Sequence, residues 1–304
     1  MLGLRRGLGA GLVRAVRWMS AGGGGGDGAA QQAMSYEDKL NEKSKKKSDV
    51  PLGMLKADGS SKRFYNHAGV ERVTVDDPRS GAAVTAFCLT LDGRQVRTPA
   101  SKLLTLPNET MAMAIALEFD VQDMYILPYT MPMTTLATTA IDQMVRPAVR
   151  KHAIDGMLRL FQSDLLSLRS AYPQDLVQRE NELWGNVTDW VSDKYKAKVN
   201  LCEGEGDQWL GGQHPQELID AVQADLNSRH EWRLTALDQV TGSTGSLMLS
   251  LAICDGRVNA EEALRAARLH EDHQTKTWGR IEQSGLGGHD IDEADMKTRL
   301  AAAQ

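Results

Sequence analysis

His270-Glu271-Asp272-His273 is the stretch of this 304-residue chain that most suggests chemistry by residue type. Imidazoles and carboxylates are metal ligands and acid–base groups. The spacing is not that of a zinc helix, which sets its histidines four apart as His-Glu-x-x-His; these are three apart. His289, Asp290 and Asp292 complete a ligand set only if the fold returns them to the same place. An enzyme using Glu271, His270, His273 and His289, a hydrolase or a metal-dependent catalyst, is therefore one reading. Gly242-Ser-Thr-Gly-Ser246 suggests a phosphate cradle at a helix start. It lacks the lysine of a Walker loop, and Thr244 stands where Gly-x-Ser-x-Gly needs its serine. Glu118 and Asp120 form a carboxylate pair, but two positions apart on a helix they point to opposite sides and do not converge.

Binding is the other chemistry these residues offer. Glu271 and Gln274, three apart, share one helix face, and Trp278 lies one turn further. On spacing alone this is a solvated polar face held down by a buried tryptophan.

The elements that must position these groups centre on 116–144. Met111, Ile115 and Phe119 recur every four residues, which predicts a helix reaching toward Pro128. Asn108 is placed to cap its start, with Glu109 in the first turn. Tyr129-Thr130-Met131-Pro132-Met133 reads as extended, because proline biases Met131 away from helix. A Thr- and Ala-rich helical run follows, carrying Ile141 and Met144.

Before this centre the pattern is β. Val70, Val73 and Val75 suggest one strand. Phe87, Leu89 and Leu91 alternate up to Asp92-Gly93, a tight hairpin signal that pairs Leu91 with Arg94 and Leu89 with Val96. Leu104 and Leu106 extend the sheet. After Met144 the chain reads as helical: 150–168 through Ile154, Leu158, Phe161 and Leu165; 175–195 with Trp184 and Trp190; and a run opened by His214-Pro215. Leu247–Cys254 is apolar on most faces and predicts a buried helix, which Gly242 and Gly245 would let approach a neighbour closely. Asn259 with Glu262 has the form of a capping box for a helix running to Trp278-Gly279. Residues 296–304 form a short last helix, and 202–213 a Gly-rich acidic loop.

The first twenty residues carry Arg5, Arg6, Arg14 and Arg17 and no acid, with Leu4, Leu8, Leu12 and Val16 every four residues. That is a mitochondrial targeting pattern, shared in composition with chloroplast transit peptides. Without these four arginines, 31 bases face 40 acids, a net charge of −9. So acidic a surface disfavours nucleic acid as a partner. No apolar run reaches the ~18 residues of a membrane span. Three widely separated cysteines argue against a disulfide framework. Residues 1–34 read as presequence and Gly-rich segment, and 35–61 as a flexible, lysine-rich polar linker.

Several of these strings together resemble the mitochondrial chaperones that assist assembly of the ATP synthase catalytic head. They are Glu118-x-Asp120-x-Gln122, Thr130-Met131-Pro132-Met133-Thr134 and Thr139-Ala140-Ile141-Asp142. Leu269-x-Glu271-x-x-Gln274-x-x-x-Trp278-Gly279 is a second signature. Asp164 through Arg169 and Leu91-Asp92-Gly93-Arg94 with Thr98-Pro99 resemble weaker family elements. The departures are Phe119 where the family usually has tryptophan, Glu180 where it has glutamine, and Gly185-Asn186 where it has Asp-Pro. The resemblance covers roughly Arg63 to the end. It implies an α+β fold, a small β-rich domain with one helix over 62–135 followed by a larger all-helical domain over 136–304. It implies a matrix chaperone without turnover chemistry, cofactor or metal, holding the unassembled alpha subunit until it pairs with beta, without stable membrane insertion. It points to Glu271 and Gln274, then Glu118, Asp120 and Met131, as partner-binding residues.

Overall fold

A computed structural model describes residues 61–76, 81–203, 213–279 and 289–304. The presequence, the linker up to residue 60 and most of the Gly-rich loop lie outside the described residues, as do the side chains of Trp278, His289 and Asp290, while Ser61, expected in the linker, begins a strand.

A small antiparallel sheet comes first. Strand β1 is Ser61–Lys62, β2 Ala68–Asp76, β3 Ala83–Leu91, β4 Arg94–Gln95 and β5 Thr105–Leu106. Strand β3 is central, pairing with β2, β4 and β5. The hairpin register is the expected one: Leu91 faces Arg94, and the Val96 N–H donates to the Leu89 carbonyl at 2.9 Å. Asp92 and Gly93 both take positive φ, +48° and +76°, as a turn matching the strand twist requires. The Asp92 carboxylate also accepts the N–H groups of Asn66 and His67, tying the turn to the chain before β2. Gly93→Val is expected to cost about 1–2 kcal/mol, because a β-branched residue resists left-handed backbone. A urea midpoint equal to the parent's would refute that cost.

Helix α1, Glu109–Asp120, lies across the sheet, with Asn108 accepting the Met111 N–H at 2.8 Å as its cap. Its buried row is Ala112, Ile115, Ala116 and Phe119, packed with Leu89, Leu104 and Leu106 in one core cluster. The helix stops eight residues short of Pro128. No breaker marks that stop; residues after it are taken by tertiary partners, with β6, Tyr125–Ile126, pairing with β1. A 3₁₀ turn spans Pro128–Thr130, so only Met131 within 129–133 is non-helical backbone. Pro132 opens α2, Pro132–Thr139, at the position where proline is tolerated.

A π-helical turn, Ala140–Met144, follows. It carries Asp142, buried, which accepts the Thr98 hydroxyl at 2.7 Å and the Ala100 N–H at 2.9 Å. The weaker Thr98-Pro99 element and the Ile141-Asp142 end of the main signature thus prove to be two sides of one contact.

The helical part contains α3 Pro147–Phe161, α4 Gln174–Tyr195, α5 Gln216–Ser228, α6 Glu231–Thr244, α7 Leu247–Cys254, α8 Ala260–Ala267, α9 Leu269–Trp278 and α10 His289–Ala303. The whole is α+β. Helix α7 is buried on every face except at Cys254. Gly242 lies inside α6, and a Cβ added to it would meet nothing within 4 Å, so it makes no close approach. Gly245 ends α6 at φ +71°, where positive φ favours glycine.

The helix expected over 150–168 ends at Phe161. A short turn and strand β7, Leu168–Arg169, take over, and β7 pairs in parallel with β8, Cys202–Glu203. Asp164 is the cause. Fully buried, its carboxylate accepts the N–H of Leu166 at 3.0 Å and that of Met248, at the start of α7, at 3.0 Å. Burial pushes its pKa up to about 6 against these favourable contacts. A raised folded-state value means the folded protein binds the proton more tightly, so this group's contribution is full below about pH 4 and declines through pH 6. Relative to Asp164→Asn, the parent should therefore lose on the order of 3 kcal/mol between those limits. Urea unfolding of both proteins from pH 4 to 7 measures this; a constant difference would refute it.

Helices α8 and α9 are one run in the sequence pattern but two helices in the structure, separated at Arg268. The Trp184 indole N–H donates to the Ala266 carbonyl at 2.8 Å. In a continuous helix that carbonyl would accept the N–H four residues on. The capping box of Asn259 with Glu262 is formed in full, and α10 begins seven residues before the short helix expected at its end.

Candidate functional site

The Glu118–Thr134 signature is a brace. Glu118 projects from α1 to the start of α2, which has no cap of its own. Its carboxylate accepts the N–H groups of Met133 and Thr134, each at 2.8 Å, and the Thr134 hydroxyl at 2.7 Å. A charge set against a helix N-terminus in this way is stabilising twice over, by hydrogen bonds and by the dipole. Gln122 uses its whole amide: Nε2 donates to the Glu118 carbonyl and the Thr130 hydroxyl, and Oε1 accepts the Leu127 N–H. Asp120 turns the other way and accepts the Ala68 N–H at 2.9 Å, beside Arg63. Arg63 in turn donates to the carbonyls of Asp120 and Gln122, and the Tyr65 hydroxyl to that of Phe119. Phe119 is a core ring here, 5.9 Å from the Tyr65 ring, and needs no indole donor. Met131 is buried.

The effect of this brace is to fix the opposite side of α1 in place. Met113, Leu117 and Val121 form a second row at four-residue spacing, and all three are about 60% exposed or more (59%, 61% and 67%). Phe64 and Met124 are equally exposed and flank the end of the helix, where the Arg63 N–H donates to the Met124 carbonyl at 3.0 Å. Tyr129, also exposed, sits on the 3₁₀ turn that Gln122 holds. Five of the large apolar side chains that the described residues expose thus lie within residues 113–129, and the contact of Arg63 with Met124 brings a sixth, Phe64, to the end of the same helix. Scattered single exposures are ordinary; a grouped apolar band marks a place where something binds. Sequence reasoning missed it, although the signal was there. The helix carries two apolar rows, and a helix lying on a sheet buries only one.

The second signature lies on α9. Glu271 is partly exposed and pairs with the buried Arg268 at 3.1 Å, while Gln274 is exposed. Arg268 also has Asp272 and Glu293 within 4.0 Å. The two histidines go elsewhere. His270 Nε2 is 2.6 Å from Glu180, a fully buried carboxylate that also accepts the Ser170 N–H and hydroxyl, and its ring lies 4.9 Å from Trp184. Burial opposes the Glu180 charge, but the bonds from His270 and Ser170 outweigh it and hold its pKa below the ordinary value. His273 faces Asp175 at 3.7 Å. Among the described residues no three His, Cys, Asp or Glu side chains converge as a metal site would need. Among them, too, no helix is long and apolar enough to cross a membrane.

What this arrangement offers is therefore a rigid apolar band and a separate acidic and amide helix face. The family model described as ATP12 chaperone protein matches residues 62–192. The mitochondrial protein atp12 of Schizosaccharomyces pombe is 26% identical over 220 residues, 70% of this chain and 74% of the relative. The mitochondrial ATP12 of Saccharomyces cerevisiae is 20% identical over 292 residues, 84% of this chain and 86% of its own. Among solved structures, the Atu1473 protein of Agrobacterium tumefaciens, described as a putative chaperone, superposes with a TM-score of 0.67 at 30% identity, covering 88% of this chain and 96% of that one. Atp12 from Paracoccus denitrificans gives 0.65 at 28%, covering 80% and 95%.

Proposed function

The chain belongs to the ATP12 chaperone protein family, and from that premise we propose that it is an assembly chaperone of the mitochondrial ATP synthase. It binds the unassembled alpha subunit and shields apolar surface that beta later covers. The observation that carries this reading is the exposed band of Met113, Leu117 and Val121 with Phe64 and Met124. A client that has lost its partner presents apolar surface, and a band of matching character takes it out of water. The acidic balance of the chain opposes self-association of the holder meanwhile. The reading includes Glu271 and Gln274 as recognition residues, with Glu118, Asp120 and Met131 acting by holding the band in place. It includes the matrix as the compartment, supported by two mitochondrial relatives and by the arginine-rich first twenty residues, and a protein that works without turnover.

The test dilutes purified alpha subunit out of urea with and without the chain. Suppressed light scattering and a co-eluting complex are expected. Unchanged aggregation, or suppression no better than an unrelated acidic protein provides, would overturn the reading.

A further inference from the structure

We propose that the outer face of α1 receives an amphipathic helix of the client, one whose apolar stripe is flanked by basic residues. The inference rests on the chaperone reading above and says what kind of segment that site takes. Met113, Leu117 and Val121 stand one turn apart and form a ridge about 12 Å long. Ridges of this four-residue kind fit the grooves of another helix. The face consists of side chains on a helix whose backbone is already hydrogen-bonded, so it gives an extended segment no ladder to join. A segment that leaves water against it must bring its own backbone hydrogen bonds, and a helix does. Charge then selects among helices. Glu109, at the start of α1, and Asp123, just past its end, are exposed carboxylates, whereas Glu118 is committed to α2. Lys62, exposed on β1, leaves acid in excess around the band. Two such faces brought together would set acid against acid, so a second copy of the chain is disfavoured and basic flanks are favoured.

The experiment uses the full chain and three labelled peptides of about 15 residues, enough for four helical turns, read by fluorescence anisotropy. One has leucines every four residues with lysine flanks; the second keeps the stripe with glutamate flanks; the third is the first with its leucines moved off the stripe. The lysine-flanked stripe is expected to bind about tenfold more tightly than either other peptide. Leu117→Lys should remove that binding while leaving the urea midpoint in place, since the side chain is exposed. The double change Glu109→Lys with Asp123→Lys should move the preference to the glutamate-flanked peptide. Equal binding of the off-stripe peptide, indifference to Leu117→Lys, or a dimer that Leu117→Lys dissolves would overturn the inference. The same variants are assayed for capture of the alpha subunit. Capture that depends on Leu117 without peptide discrimination sinks only the helix inference; no capture by the parent protein sinks the chaperone reading and this inference with it.

Discussion

Trp184→Ala is expected to lower the stability of the folded chain by about 5 kcal/mol. Removing a large aromatic side chain from a packed core costs roughly 3–5 kcal/mol through lost burial and the cavity left behind, and Trp184 is fully buried. A second loss adds to it. The indole N–H is the partner of the Ala266 carbonyl at the end of α8, and a buried acceptor left unpaired costs roughly another 1–3 kcal/mol. The ring also lies against His270 at 4.9 Å and under the Arg169 guanidinium at 5.3 Å, so both groups lose their packing partner. Trp184→Phe separates the two contributions. It keeps most of the volume and removes only the donor, and about 1–2 kcal/mol is expected. Urea unfolding of both variants checks the argument. A phenylalanine variant as damaged as the alanine one would mean that the hydrogen bond, not the volume, dominates.

Glu271→Lys should fail in two ways at once. Glu271 is the 3.1 Å partner of Arg268, whose side chain is only 5% exposed. A lysine there removes the nearest carboxylate from a buried guanidinium and adds a like charge. Breaking a buried pair costs about 3–5 kcal/mol. Glu271 itself is 36% exposed and Asp272 and Glu293 remain nearby, so about 2 kcal/mol is the expected loss after solvent screening. Capture of the alpha subunit should fall as well, but that fall would mix misfolding with lost recognition. Glu271→Gln keeps the shape and a hydrogen-bond acceptor for Arg268. It is expected to cost under about 1 kcal/mol in unfolding while weakening capture if the carboxylate meets a basic group of the client. A folded glutamine variant that captures normally would remove Glu271 from the recognition residues and leave it as the partner of Arg268.

The sequence made the local devices readable. The Asp92-Gly93 turn, the Asn108 cap, the capping box at Asn259 and the apolar row of α1 each depend on residues within a few positions of one another. What it could not show were the places where a distant side chain ends an element. Nothing near residue 120 stops α1; β6 pairing with β1 does. Asp164, three residues past the end of α3, was in plain view, but its second partner, the Met248 N–H, lies 84 residues away. The break at Arg268 depends on an indole from α4. The candidate site follows the same rule. Glu118 was legible only as a residue of the family signature, and its role as the cap of α2 needed the fold; the exposed row Met113, Leu117 and Val121 was hidden beside the buried row that the same helix also carries.

Helix α7, buried almost all round, sets an order of events for the chain's own folding. It packs against α6, α3, α4 and α8, and also against α10, at the far end of the sequence. Leu300 of α10 is fully buried in that core. A ribosome or an import channel delivers the chain from its N-terminus, so α7 emerges before the helix that closes over it. During that interval the molecule carries an unshielded apolar segment of its own. A chaperone thus passes through a stage at which it has apolar surface of its own to shield, and shortening the chain ahead of α10 would make that stage permanent.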